Sequence, residues 1–125
     1  MSLSTSELIA FIPTVKPEEA KTFYRDVLGL TLVADEWWAL AFDAHGTKLR
    51  IEKVQELHPH PFTAAGWKVA DIGAVMDGLT KKGVRFERYP SLQQDDRGVW
   101  TTPSGAQVAW FKDPDGNTLS LTQWP

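Results

Sequence analysis

The chain has 125 residues, 42% of them hydrophobic, and a formal net charge of −3 at pH 7. This length and apolar content suit one independently folding domain, and the slight negative charge excludes the basic surplus that binding to nucleic-acid phosphates requires. The absence of cysteine excludes disulfides, thiolate nucleophiles and cysteine zinc sites, and the apolar runs are too short to form a membrane-spanning helix.

The first half of the chain predicts one strand, one helix and then three strands. Residues Ile9–Thr14 form a mostly apolar run rich in β-forming residues. Pro17, followed by two glutamates, predicts the start of a helix, and Gly29 suits the left-handed residue that ends one. Three antiparallel strands are predicted at residues 30–34, 37–42 and 48–54.

The second half repeats this order of elements. Residues 66–69 predict a strand, and residues 71–82 predict a helix whose apolar side chains recur every three or four positions. Strands follow at residues 84–89, 99–101, 107–112 and 118–122. Residues 55–63 contain two prolines and no periodicity, which indicates a connection between the two halves.

This order of elements predicts an α+β fold of two βαβββ modules, with a curved mixed sheet around a concave cup and the helices on its outer face. The first module covers about residues 7–54 and the second about residues 64–123, with residues 55–63 as linker, in one domain over residues 1–125. A cup of this kind suits a small-molecule ligand.

Three segments of the chain carry motifs of a known family. They are residues 21–30 (KTFYRDVLGL), 67–72 (WKVADI) and 112–117 (KDPDGN). The first is similar to a Phe-Tyr-x-x-x-Leu-Gly helix end, the second to a fifth strand and helix start, and the third to a late hairpin. Together they resemble the glyoxalase, bleomycin-resistance and extradiol-dioxygenase superfamily, also called vicinal oxygen chelate, over nearly the whole chain.

The resemblance also implies four positions at which metal-dependent members of the family carry a His, Glu or Gln ligand, one on each of the first, fourth, fifth and eighth strands. On this chain the four positions are Ile9, Glu52, Ala64 and Ser120. Moving the fifth-strand position by one or two residues gives an alanine or a glycine. One carboxylate cannot hold a transition metal that needs about three or four protein donors, so we predict no metal and no cofactor.

The histidines do not change this prediction. His58 and His60 flank Pro59 in the linker and could chelate an ion, but two loop histidines with no third partner are more often simply solvated. His45 precedes a glycine in a predicted hairpin turn, where an exposed polar residue is expected.

The alternation of side chains along a strand indicates which residues face the cup. In the fourth strand Leu49 and Ile51 suit the helix face, which places Arg50 and Glu52 in the cup. The same alternation in the last strand places Ser120 there. Arg50 and Glu52 either form an internal ion pair or act on a ligand. In the second case Arg50 orients an anionic group and Glu52 accepts a proton or a hydrogen bond.

Six tryptophans in a chain of this length favour aromatic walls around a ligand. For any single one of them, packing in the core or in a dimer interface is the more common explanation. We expect several to contact a ligand, and we predict that Trp38, Trp67 and Trp100 contribute to ligand binding together with Ser120.

Two classes of function follow from these residues. The first is a metal-free protein that binds a small aromatic or amphipathic molecule, as the bleomycin-resistance branch does. The alternative is a lyase or dioxygenase-type enzyme with a divergent site, in which Glu52 is the one candidate catalytic base. We expect a cytoplasmic homodimer with a small-molecule ligand, and neither a nucleic-acid nor a membrane partner.

Overall fold

Two mixed four-stranded sheets, each with its own helix, account for the regular structure in residues 2–125, which the computed structural model describes. The architecture is α+β, with one βαβββ module in each half of the chain. The chain divides into a first unit up to His58 and a second unit from Pro59 to Pro125. This boundary falls inside the segment 55–63 that was predicted as the linker.

The first unit contains four strands in the order β1-β4-β3-β2. Strand β1 is parallel to β4, and the other neighbouring pairs are antiparallel. Its elements are β1 (Ile9–Thr14), α1 (Pro17–Thr22), β2 (Thr31–Asp35), β3 (Ala39–Ala44) and β4 (Thr47–Lys53). His45 and Gly46 form the turn between β3 and β4, as predicted.

Helix α1 continues directly into a π-helical turn over Phe23–Val27, in which the Leu28 N–H donates to the Phe23 carbonyl at 2.9 Å. Gly29 then leaves the helix with a φ of 76°, a left-handed conformation that favours glycine. The predicted helix start at Pro17 and its end at Gly29 are both confirmed.

One face of the first sheet packs against this helix. Tyr24 is fully buried, and its ring centroid lies 6.0 Å from that of Phe42 on β3. Leu49 and Ile51 of β4 are buried on the same face, because their register partners on β3 are Phe42 and Leu40. The predicted alternation of β4 is therefore confirmed, and Arg50 and Glu52 lie on the face opposite α1.

An ion cluster joins the helix to two strands at the edge of this core. The Asp35 carboxylate on β2 forms ion pairs with Lys21 Nζ of α1 and with Lys53 Nζ of β4, each at 2.6 Å. The hydrogen bond with Lys21, followed by that with Lys53, holds the pKa of the Asp35 carboxyl below its ordinary value of 3.8. Asp35 is therefore ionised at neutral pH and bridges three elements.

The second unit repeats the arrangement, with strands in the order β5-β8-β7-β6 and β5 parallel to β8. The elements are β5 (Thr63–Lys68), α2 (Ile72–Lys81), β6 (Trp100–Thr101), β7 (Gln107–Lys112) and β8 (Thr118–Gln123). Asp71 caps α2 by accepting from the Ala74 N–H at 3.0 Å, and Gln123 Oε1 on β8 accepts from the Ile72 N–H at 2.8 Å. No helix within residues 2–125 is long and apolar enough to cross a membrane.

The strand predicted at residues 84–89 is wrong. Within residues 2–125, the backbone of this segment pairs with β7 only through a single bridge from Phe86 to Phe111 and a hydrogen bond from the Glu87 N–H to the Trp110 carbonyl. Instead, the Gln94 side chain accepts a hydrogen bond from the Tyr89 N–H and donates one to the Glu87 carbonyl. Side-chain hydrogen bonds thus replace the ladder that would have made a strand.

We expect Asp35→Asn to lower the stability of the first unit at about pH 7, because two ammonium groups lose their shared carboxylate. The pKa of the Asp35 carboxyl is lower in the folded protein than in the unfolded chain. The stabilisation is therefore fully present at pH values above the unfolded-state pKa and is lost as the pH falls through the folded-state pKa. Denaturant unfolding of both proteins at about pH 7 and about pH 2 measures the difference. The two unfolding curves should converge in acid.

The matched control is Glu36→Gln. It neutralises the carboxylate next to Asp35 in the sequence, and this carboxylate forms no ion pair among the described residues. Equal unfolding midpoints for the two variants at neutral pH would contradict a bridging role for Asp35.

Candidate functional site

The face of the second sheet opposite α2, here called the far face, collects the polar and aromatic side chains of three strands. Leu119 and Leu121 of β8 are buried on the α2 side, so the intervening Ser120 lies on the far face. The register partners of Ser120 are Trp110 on β7 and Gly66 on β5. One row of the far face therefore consists of the Trp110 indole, the Ser120 hydroxyl and Gly66, which has no side chain.

A second row runs parallel to the first, one step along the strands. It begins at Trp100 on β6, which pairs with Val108 on β7, and ends at Lys68 on β5. Thr122 on β8 pairs with both Val108 and Lys68 and contributes a second hydroxyl. The two rows together place aromatic rings at one side of the sheet and a lysine at the other.

Three aromatic rings form one cluster at the β6 and β7 side of the far face. The Trp100 and Trp110 ring centroids lie 6.1 Å apart at an interplanar angle of 28°, and Tyr89 meets Trp110 edge to face at 5.4 Å. Burial, and then the charge of Glu87, raise the pKa of Tyr89 above its ordinary value of 10.0. The phenol therefore stays protonated and can donate a hydrogen bond at neutral pH.

The loop that carries Tyr89 is held in place by the side chain of Gln94. Gln94 Oε1 accepts from the Tyr89 N–H at 2.6 Å, and Gln94 Nε2 donates to the Gly98 carbonyl at 2.7 Å. The loop is also fixed to α2, because Arg97 forms an ion pair with Asp77 at 2.6 Å. Tyr89 therefore belongs to a fixed loop, whereas the Trp100 and Trp110 rings of the cluster lie on strands β6 and β7.

Small side chains leave space beside the cluster. A Cβ atom at Gly66 would collide with Ser120 Oγ, so the absence of a side chain at residue 66 leaves room for this hydroxyl. Ser120 itself is buried. Gly66, Ser120 and Thr122 together form a low, hydroxyl-bearing floor between the aromatic rings and Lys68.

Two of the predicted ligand-binding residues, Trp100 and Ser120, thus lie on the far face of the second sheet. Trp67 does not, because its register partner on β8 is Leu121, which faces α2. This corrects the predicted placement of Trp67. The register between β5 and β8 pairs Gly66 with Ser120 and Lys68 with Thr122. Gly66 and Lys68 therefore lie on the far face, and Trp67 lies on the α2 side.

The other three predicted residues belong to the first unit. Arg50 lies between Phe11 and Ala41, and Glu52 lies between Pro13 and Ala39, on the face opposite α1. Among residues 2–125 no ion pair joins Arg50 to Glu52, so their predicted internal pair is absent there.

Trp38 lies just before β3, and its backbone carbonyl accepts from the Lys53 N–H at 2.8 Å. Trp38 lies in a bend outside β3, so strand alternation does not fix the side of its ring. Its predicted role in ligand binding stays a prediction.

The residues at the family's metal positions do not fit a metal ion. Ile9 has no donor atom, and its partner on β4 is Lys48, four residues before Glu52, a separation of about 13 Å along the strand. No group of three or more His, Cys, Asp or Glu side chains that could hold a metal occurs within residues 2–125.

The linker histidines each have a different neighbour. His58 Nε2 lies 2.9 Å from Glu56 Oε1 on the surface, and the His60 ring stacks on Phe62 at 5.0 Å. Neither contact is part of a chelating group, and both histidines are exposed. This agrees with the solvated interpretation of these residues.

Tyr89 and Lys68 were not among the predicted site residues. The signal for Lys68 was present, because alternation in the β5 segment puts Gly66 and Lys68 on one side, but nothing in the sequence indicated which side faced α2. Tyr89 gave no signal, since residues 84–89 were expected to be a strand and its position depends on the loop held by Gln94.

The sequence model of the Glyoxalase/Bleomycin resistance protein/Dioxygenase superfamily matches residues 8–121. The chain belongs to this superfamily. The match covers both modules except the last two residues of β8, which confirms the resemblance seen in the three motifs. No curated protein matches this superfamily member significantly by sequence.

Solved structures share the fold of this superfamily member along its whole length. TnmS3, an antibiotic binding protein from Streptomyces sp. CB03234, is 24% identical with a TM-score of 0.77 and full coverage of both chains, each 100%. A superfamily member from Sphaerobacter thermophilus DSM 20745 is 23% identical with a TM-score of 0.76, covering 98% of this chain and 99% of the other. Lactoylglutathione lyase from Agrobacterium tumefaciens is 15% identical with a TM-score of 0.75, covering 98% and 96%.

The close approach of Gly66 to Ser120 gives a test of the far-face register. In a Ser120→Ala background, we expect Gly66→Ala to stabilise the protein by about 0.5–1 kcal/mol, because alanine loses less chain entropy than glycine on folding. In the native background the new methyl group forces the Ser120 hydroxyl to rotate, at a cost of about 1 kcal/mol that cancels the gain. Denaturant unfolding of the four proteins measures the coupling.

Additive effects of the two substitutions would contradict this arrangement. They would mean that Ser120 Oγ does not lie over residue 66, and that β5 pairs with β8 in another register.

Proposed function

We propose that the protein binds a small aromatic or amphipathic molecule on the far face of the second sheet and does so without a metal ion. The observation that carries the proposal is the stacked Trp100 and Trp110 pair beside the floor of Gly66 and Ser120. A planar ring laid on this floor contacts an indole at its edge and a hydroxyl beneath it.

The half-buried state of the cluster supports this proposal. Trp100 and Trp110 are each partly exposed, although the Leu119 and Phe111 side chains on the other face of the sheet are fully buried. Covering an exposed aromatic surface with a ligand ring contributes on the order of 2 kcal/mol. Since Gln94 already orders the Tyr89 loop, little further ordering of that loop opposes binding.

The comparisons are compatible with this class of function. TnmS3 is an antibiotic binding protein of the same fold, and we extend small-molecule binding to this chain on the strength of its own aromatic cluster. Arg50 and Glu52, on the first sheet, were predicted as ligand contacts and stay a separate prediction. A cytoplasmic location is part of the proposal.

The alternative, a lyase or dioxygenase-type enzyme, rests on Glu52 as catalytic base. Glu52 is exposed, and its cross-strand neighbours Pro13 and Ala39 can neither exchange a proton with it nor orient it. Ile9 and Ser120 also lack the donor groups that would hold a Lewis-acidic metal. The binding function is therefore the better supported of the two.

We expect Trp100→Ala to weaken the binding of naphthylmethanol, a neutral planar probe, by roughly thirtyfold, since a stacked ring contributes about 2 kcal/mol. Isothermal titration calorimetry measures the affinity, and circular dichroism checks that the variant is folded. The matched control is Trp37→Ala, which removes a tryptophan that is 89% exposed just before β3. Equal affinities for the Trp100 and Trp37 variants would contradict the proposed site.

The proposal includes a homodimer. Edge strand β1 leaves Ile9 and Phe11 about half exposed, at 45% and 54%, and an apolar edge of this kind favours burial against a second copy. We expect sedimentation analysis to show a dimer, and Phe11→Lys to shift it towards monomer. The control is Val33→Lys, at an exposed residue on the other edge strand, β2. If both variants dissociate the dimer, or if neither does, a dimer interface at β1 is contradicted.

A further inference from the structure

We infer that Lys68 gives the far face a preference for aromatic molecules that carry an anionic group, such as an aromatic carboxylate. The inference rests on the proposed function, because it concerns the same surface. It assigns the recognition of charge to a residue of the second unit, on the same sheet as the aromatic cluster.

The register of the second sheet places Lys68 at a defined distance from the rings. Lys68, Thr122, Val108 and Trp100 follow one another across four neighbouring strands. Strands lie about 4.8 Å apart, so two spacings of roughly 10 Å separate the β5 and β7 backbones. A bicyclic ring that lies against Trp110 and extends across β8 brings a substituent on its far edge towards Lys68.

Between β7 and Lys68 the two rows carry only short side chains, whereas Val108 lies on β7 between Trp100 and Thr122. Gly66, next to Lys68 on the far side of β5, has no side chain, and Ser120 and Thr122 contribute only short hydroxyl side chains. The lysine side chain can therefore extend over the floor. The Thr122 hydroxyl lies on the same face beside it and can donate to the same anionic group.

Lys68 also differs from the other lysine on this face in its charge environment. Lys112 Nζ lies 3.8 Å from Glu87 Oε1, so its charge is partly compensated. Among residues 2–125 no carboxylate lies within ion-pair distance of Lys68. An incoming anion therefore meets an uncompensated ammonium group at Lys68 without first displacing a protein carboxylate.

An ammonium group that pairs with a carboxylate near the surface gives a modest gain, because water and salt screen the charges. We therefore expect the native protein to bind naphthoate about fivefold more tightly than naphthylmethanol. The two probes share a ring system and differ in charge, so their ratio isolates the contribution of the anionic group. The ratio should fall as salt is raised.

The experiment compares both probes by calorimetry on the native protein and on the variants Lys68→Gln, Lys81→Gln and Arg50→Gln. Lys81 lies in the last turn of α2, so its variant removes the same charge from the same unit on the helix side. We expect Lys68→Gln to lower naphthoate affinity about fivefold and to leave naphthylmethanol affinity within about twofold. The Lys81 variant should retain the preference for naphthoate.

Three outcomes would overturn the inference. In the first, Lys68→Gln leaves the affinities for both probes unchanged or lowers both equally. The aromatic site then stands, but Lys68 does not select for charge. In the second, Arg50→Gln removes the preference for naphthoate while Lys68→Gln keeps it, which assigns the anion to the first unit. In the third, neither probe binds the native protein, and the proposed function fails together with the inference.

Discussion

Each sheet of this protein has a single helix for its two faces, and the candidate site depends on this constraint. In the second unit α2 packs on the side of Leu119 and Leu121, which are buried. The two-residue period of β8 then puts Ser120 on the other side. A slip of one residue would expose both leucines to water, so burial of the core holds the hydroxyl in place. The polar row of the far face is thus a consequence of how the apolar row packs.

One ring of the aromatic cluster, Tyr89, has a different origin from the floor and the two indoles. Strand β6 has only two residues, and the segment before it, which supplies Tyr89, is irregular. Its geometry comes from one glutamine, because Gln94 satisfies backbone groups at Glu87, Tyr89 and Gly98 at once. A loop ordered in this way places its tyrosine ring as firmly as a strand does, but through side-chain hydrogen bonds. The sheet therefore contributes the floor and the two indoles, and the loop contributes Tyr89.

Sequence patterns predicted the parts of this structure that depend on local alternation or on backbone conformation. Leu49 and Ile51 showed the orientation of β4, and Leu119 and Leu121 showed that of β8, because apolar and polar residues alternate there. Strand β5 offered no such contrast, since its alanines and glycine suit either face, and Trp67 was consequently placed on the wrong side. The positions of Tyr89 and Trp110 relative to one another depend on contacts between distant segments, which no local pattern encodes.

Because Glu52 is the one carboxylate at the four metal positions, selectivity in the proposed metal-free function has to come from stacking, from hydroxyl groups and from charge. Stacking on Trp100 and Trp110 tolerates many planar rings, because it depends on area and contact more than on substituents. Discrimination among such rings therefore needs a group that recognises a substituent. On the far face the floor hydroxyls accept or donate to many polar groups, whereas an ammonium group favours anions alone. An uncompensated lysine at the edge of an aromatic site would thus convert a permissive surface into one that prefers aromatic acids.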